Sequence, residues 1–403
     1  MNAAKRCAIT GMGAVAPVGR TVAEVWVAVR DGRCGIGPLT VFDADGFAYA
    51  RAGQIESAPD AGARDAQGVP LDRASLFMLA AAEEAVVQAG LRERMRNPED
   101  VAVVLATNFG GIERAAELLT EAPSSAAELD RAFREYGFQR CADLVANRFG
   151  FRGPRVALSL SCSSGCAAIG YGMSLIRAGR AKAVLAGGYD ALTPFCWSGL
   201  CALRTMTRDE LRPFDKRRNG TIFSEGAGAV LIEEWDEALA AGAVPLAEAA
   251  GYGVNNNAHH MTAPAPAGAG SAEVMAMALA DAGLSPAAVD HVNAHGTGTR
   301  HNDSTETQAI KTVLGDRAHA IPVAANKSVL GHMMGAAGAV ESIVAVMTMR
   351  DGIVPPTIGY GEPDPACDLD YVPNVRREFP VRVALSNSAG IGGCNAAVVL
   401  TAV

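Results

Sequence analysis

Short uncharged runs rich in Val, Leu, Ile and Ala alternate along this chain with longer segments of helical period. The runs at residues 7–10, 101–106, 156–160, 183–186 and up to 232 each suit a buried strand. Thr21 and Glu24 stand in capping-box positions ahead of a helix that Gly32 can close. A polar loop containing Pro38 then runs to about Pro70. Asp72 opens a stronger helix, with Leu76, Leu79, Ala80 and Val87 among its apolar positions, ending at Gly90. A further helical region spans about 125–149. The second half repeats the alternation, with strands near 246–254, 291–294, 322–325, 382–386 and 396–401. Its helices are expected at 271–283, after Asn302 and at about 333–350. Such a pattern predicts an α/β fold with helices covering largely buried sheets. VALSLSCSSGCAAIG and VAANKSVLGHMMGAAG each read as strand, turn and small-residue helix, which suggests an internal duplication.

An uncharged stretch, residues 156–176, holds Cys162 where the strand gives way to small residues. A turn into a buried helix at Ser161 puts that thiol at or near a helix N-terminus, where free backbone N–H groups favour a thiolate. A small buried Cys filling a tight joint is the competing reading.

Composition narrows the field. The 403 residues allow two or three domains and an ample core of Ala, Val, Leu, Ile and Met, since aromatics are only 5%. A net charge of −8 argues against nucleic acid as the main partner. The nine cysteines lack framework, redox or zinc spacing, so reduced thiols in the cytoplasm are expected, and no metal. The opening run is broken by Gly11, Gly13 and Pro17 and reads as a strand and turn, not a signal peptide. No run suits membrane insertion.

Three further stretches, with Glu341, supply what a thiolate nucleophile needs. NAHGTGT sets His295 after a strand with Thr297 and Thr299 beside it, and NKSVLGHMMGAAG places Lys327 and His332 five residues apart with Glu341 beyond. NSAGIGGCN, residues 387–395, is a glycine loop whose N–H groups can point at an oxyanion. Spacing alone leaves a cysteine hydrolase open. Between Arg204 and Arg218 lie six basic and three acidic residues, a local excess of +3 that fits an acidic partner as well as an ordinary solvated loop.

Taken together, ITGMGAVAPVG, SCSSG, RPFD, EGAG, HMTAP, NAHGTGT, NKSVLGH, GAAGAVES and NSAGIGGCN occur in family order over essentially the whole length. The chain resembles the β-ketoacyl synthases of the thiolase-like superfamily, in particular the elongating type II fatty-acid and polyketide enzymes. That resemblance implies a thiolase-like fold of two similar βαβαβ halves in five α-β-α-β-α layers, divided as residues 1–244 and 245–403. It implies a ketosynthase that condenses an acyl-Cys162 intermediate with a malonyl unit on acyl carrier protein, losing carbon dioxide. His295 and His332 would bind the malonyl thioester carbonyl, Lys327 would support His332, and Glu341 would organise the histidines through water or backbone. The N–H groups of Cys162 and Ile391 would form an oxyanion hole in a loop built from Ala389, Gly390, Ile391, Gly392 and Gly393. Thr297, Thr299 and Thr262 would bind the phosphopantetheine arm, and Arg204, Arg208 and Arg212 the carrier protein. No enzyme-bound cofactor is implied. A dimer is, with an identical copy or a chain-length-factor-like subunit.

Three aromatics of the family pattern are missing. NSAGIGG puts Ala389 and Ile391 where elongating synthases commonly carry phenylalanines, and Thr221 stands in the pocket where a third is usual. A wider or differently gated pocket is expected, suited to a bulky, polar or polyunsaturated chain and a specialised polyketide or unusual fatty-acid pathway. Two rivals remain: a thiolase using Cys394, and an acyltransferase that does not decarboxylate. A non-catalytic chain-length partner fits poorly, because the nucleophile is present.

Overall fold

The computed structural model describes residues 5–66, 68–113, 116 and 124–403. Ten strands make its main sheet: β1 (Cys7–Val15), β2 (Val101–Ala106), β3 (Arg155–Leu158), β4 (Ala183–Asp190), β5 (Gly226–Glu234), β6 (Ala247–Asn256), β7 (His291–Asn293), β8 (Val323–Ala324), β9 (Val383–Ala389) and β10 (Cys394–Thr401). Their order is β8-β7-β9-β10-β6-β1-β5-β4-β2-β3. Read outward from the centre, β1-β5-β4-β2-β3 and β6-β10-β9-β7-β8 are the same arrangement. In each, two antiparallel pairs precede two parallel ones. The duplication suggested by two short strings is therefore present in the whole topology. The halves meet where β1 pairs antiparallel with β6, Cys7 facing Ala249.

Five helices complete the layers: α1 (Arg73–Ala89), α2 (Ser164–Arg177), α3 (Ala269–Asp281), α4 (Arg300–Leu314) and α5 (Ala337–Asp351). α1 covers the outer face of the first half, while α3, with α4 against it, covers that of the second. Between the halves lie α2 and α5. Residues Ala337 to Met349 of α5 are all buried, which is why its apolar residues fall on every side instead of on one face. The two central helices approach to backbone contact: a Cβ on Gly165 would lie 2.7 Å from Ala339 N, and one on Gly338 2.6 Å from Cys166 N. The small-residue strings after both turns serve this crossing.

Several expectations shift. The glycine turn after Thr10 is strand instead, and α1 packs so closely that a Cβ on Gly13 would fall 1.8 Å from Ala81 O. Asp72 does cap α1, its side chain accepting from Ser75 N–H, and Gly90 ends it in the left-handed region. Val87, however, faces solvent, because the row Phe77–Ala81–Ala85 turns toward the sheet. β3 is only half-buried, since it is the outermost strand and pairs on one side alone. The polar loop before α1 contains a short hairpin, Ile36–Pro38 against Arg51–Gly53.

Candidate active site

α2 begins at Ser164, so the turn that starts at Ser161 sets Cys162 on a tight elbow between strand and helix. Ser161 takes a positive φ of 50° there, and the flanking serines hold the bend. Ser163 Oγ donates to Leu160 O at 2.7 Å, and Leu160 N–H donates to Ser164 Oγ at 2.8 Å. Cys162 is 7% exposed and opens onto a cavity of about 370 Å³. The glycine loop lies against it: a Cβ on Gly390 would stand 3.1 Å from Cys162 N. The backbone N–H groups of Ile391 and of Cys162 itself both face the sulfur. Gly392 and Gly393, at φ 88° and 80°, give the loop its return.

Burial pushes the Cys162 thiol up to about 11, against the charge of Lys327 and the Ile391 N–H, which favour ionisation. The thiolate expected from a helix N-terminus is not the resting form. Desolvation outweighs the backbone dipoles.

His295 and His332 share the cavity, their rings 5.4 Å apart and edge to face. Lys327 Nζ stands 3.3 Å from His295 Nδ1 and donates to Glu341 Oε1 at 2.6 Å. Lys327 thus contacts His295, not His332 as expected. Glu341 reaches the histidine through the lysine, while its Oε2 is buried without a protein partner. His332 Nδ1 instead accepts the Met334 N–H at 3.2 Å. With Nδ1 facing a donor in both rings, each presents Nε2–H as its free donor. Burial, then the charge of Lys327, holds both imidazoles well below the usual histidine range, so both are neutral at pH 7. Burial likewise raises the Glu341 carboxyl to about 7.

Other functional residues escaped sequence reasoning. Glu306 on α4 accepts the N–H groups of His295 and Gly296 at 2.7 and 2.9 Å and the Asn387 amide at 2.7 Å. It fixes the His295 turn to the strand that leads into the glycine loop. Asp190, at the end of β4, accepts from Thr107 Oγ1, from the N–H groups of Asn108 and Phe109, and from Gly335 N–H at 2.7 Å. It ties the turn after His332 to the first half, and burial raises it to about 6. A lone carboxylate ending an uncharged strand was the available signal. Phe223 stacks on His332 at 5.3 Å, so an aromatic reaches the cavity two residues beyond Thr221.

Thr221, Thr262, Thr297, Thr299, Ala389, Gly390, Ile391 and Gly393 line the same cavity, with the Thr297 and Thr299 hydroxyls 3.0 Å apart. Cys394 does not line it; its sulfur accepts from the Asn256 amide at 3.2 Å, away from the histidines. The thiolase arrangement is absent. The basic segment changes most. Arg212 is pinned by Asp209 and Glu210, its side chain 14% exposed, and Arg218 is buried against Asp364. Lys216 pairs with Glu362 and Arg217 with Asp215. The local excess of +3 is largely cancelled by carboxylates distant in sequence, leaving Arg204 and Arg208 as the segment's exposed arginines without a carboxylate partner among the described residues. Arg208 donates to Ala48 O and lies over the Tyr49 ring. Among the described residues no cluster could hold a metal ion, and no helix is long and apolar enough to cross a membrane.

Comparison with known proteins places this geometry. Residues 4–238 match the family model "Beta-ketoacyl synthase, N-terminal domain", and residues 246–361 match "Beta-ketoacyl synthase, C-terminal domain". Nodulation protein E of Rhizobium meliloti (strain 1021) is 40% identical, the match covering 97% of this chain and 98% of the relative. The 3-oxoacyl-[acyl-carrier-protein] synthase 2 of Synechocystis sp. is 38% identical, over 97% and 96%. Among solved structures, a type II polyketide ketosynthase bound to a hexaketide, in complex with its acyl-carrier protein, superimposes over the full length of both chains. Its TM-score is 0.88 at 33% identity.

Proposed function

Since the chain belongs to the β-ketoacyl synthase family, we propose that Cys162, His295, His332, Lys327 and Glu341 perform its condensation. The activity is that of an elongating ketosynthase. The carrier-bound acyl thioester is attacked by the Cys162 sulfur; a new S–C bond forms, and the pantetheine thiol leaves with the cysteine's proton. A malonyl unit then enters with its thioester carbonyl against the Nε2–H donors of His295 and His332. Loss of carbon dioxide leaves an enolate whose charge these donors stabilise. Its carbon attacks the acyl-Cys162 carbonyl, and the tetrahedral oxyanion lies at the N–H groups of Cys162 and Ile391. Expulsion of the sulfur gives the β-ketoacyl product. Neutral donors are what this step requires, because an imidazolium would give up its proton to the enolate and quench it.

The observation that carries the reading is the pair of buried imidazoles that line the cavity with Cys162, each with its Nδ1 against an N–H donor, which leaves Nε2–H as the donor for a substrate. No resident cofactor enters the scheme; the substrates travel on the phosphopantetheine of an acyl carrier protein, held by Thr297, Thr299 and Thr262. Arg204 and Arg208 are the residues we assign to the carrier, in a cytoplasmic dimer whose second subunit is an identical copy or a chain-length partner. The halves at residues 1–244 and 245–403 supply the nucleophile and the histidines respectively. Ala389, Ile391 and Thr221 in place of aromatics fit a specialised polyketide or unusual fatty-acid pathway. Malonyl-carrier labelled in its free carboxylate tests the chemistry. Labelled carbon dioxide should be released by the native protein and not by His295→Ala or His332→Ala; release that survives both substitutions refutes the assignment.

A further inference from the structure

Two hydroxyls on the cavity wall have no protein partner. Thr221 N–H donates to Thr205 O at 2.8 Å, which sets the two threonines side by side on paired segments, and both line the cavity. Thr221 is 2% exposed, and neither its Oγ1 nor that of Thr205 makes a hydrogen bond. The neighbouring pair Thr297 and Thr299 differs, since those hydroxyls bond each other. Among the described residues no Asp, Glu, Lys or Arg lines the cavity, so no charged side chain competes for the free hydroxyls. A shielded hydroxyl left without a partner is destabilising, and an apolar residue of the same shape avoids that cost. The wall also adjoins the reacting groups. Gly220 N–H donates to Gly298 O at 3.0 Å, between Thr297 and Thr299, and Phe223 stacks on His332.

We propose that Thr205 and Thr221 form a subsite that donates hydrogen bonds to an acceptor oxygen of the bound thioester substrates. This rests on the ketosynthase reading above and narrows its substrate class. The oxygen comes from one of two sources: a keto or hydroxyl group near the thioester of the acyl chain, or the free carboxylate of the malonyl unit. Valine keeps the shape and removes the hydroxyl, so Thr205→Val, Thr221→Val and the double variant are the test, with folding checked by thermal melting. One arm follows acyl-Cys162 by intact mass from 3-oxo-, 3-hydroxy- and saturated acyl-carriers of equal length. The other measures KM for malonyl-carrier in decarboxylation. A fall of about fivefold or more in the oxygenated-to-saturated ratio, whatever the absolute rates, assigns the subsite to the acyl chain. A comparable rise in malonyl KM with that ratio unmoved assigns it to the malonyl carboxylate. If the double variant changes neither ratio nor KM by more than about twofold, or slows all acyl groups equally with KM unchanged, the subsite does not exist. A native protein that acylates from no donor would instead overturn the ketosynthase reading itself.

Discussion

Lys327→Met should destabilise the protein in a way that depends on pH, because of what it leaves behind. Lys327 and Glu341 are both fully buried, with Nζ and Oε1 2.6 Å apart. Burial raises the Glu341 carboxyl from its ordinary 4.5 to about 7, while the ammonium pulls it back down. Without the lysine it must titrate higher still. A carboxyl raised in the folded state contributes stability below its unfolded pKa, and that contribution is lost as pH rises through the folded one. In the native protein the loss ends near pH 7; in the variant it continues. The gap between them should therefore widen above pH 7, at a rate of up to about 1.36 kcal/mol per pH unit until the variant's carboxyl itself ionises. Urea unfolding midpoints at pH 7 and 9 read this directly. Lys327→Met/Glu341→Leu removes the stranded carboxylate and should restore stability while abolishing the pH dependence. Decarboxylation in the double variant should stay low, on the order of 10²-fold, because nothing then holds His295 in its Nε2–H tautomer. A stability gap equal at pH 7 and 9 would refute this account of the pair.

Three other outcomes follow from the same geometry. With its thiol raised to about 11, Cys162 should react with iodoacetamide roughly tenfold faster per pH unit between 7 and 9, followed at that site by peptide mass; a plateau by pH 8 contradicts a buried neutral thiol. Because His295 and His332 lie well below the usual histidine pKa, their ring nitrogens should keep neutral-imidazole NMR shifts from pH 7 to 6, whereas conversion to the imidazolium pattern centred near 6.5 would mean that they titrate normally. Gly338→Ala drives a methyl to within 2.6 Å of Cys166 N and should cost about 1–3 kcal/mol in urea unfolding; an unchanged midpoint would show that α2 and α5 separate easily.

What the sequence disclosed is what local pattern can carry. The run 101–106 is a strand to the residue, and Asp72 and Gly90 bound their helix as their chemistry requires. Cys162, His295 and His332 stand in turns that the change from branched to small residues already marked. The partnerships were harder, because tertiary pairing decides them. Lys327 lies five residues from His332 in sequence yet meets His295 across 32 residues. Asp190 acts on Gly335 N–H, brought to it by the meeting of the two halves, and Glu306 on turns that the second half folds together around it. The basic segment looked unpaired because Glu362 and Asp364, about 146 residues away, are its counterions. Charge counted along a chain does not measure charge on a surface.

The central claim is that Cys162 carries the acyl group and delivers it to a carbon nucleophile made by loss of carbon dioxide. A pulse and chase tests it most directly. The protein is first loaded from an acyl-carrier donor, its mass and the Cys162 peptide are recorded, and malonyl-carrier is then added. The account predicts an acyl adduct confined to Cys162 that disappears on the chase, one β-ketoacyl-carrier and one carbon dioxide formed per adduct lost. An adduct at another residue, or an acyl group that moves to the carrier unchanged with no carbon dioxide released, would contradict it.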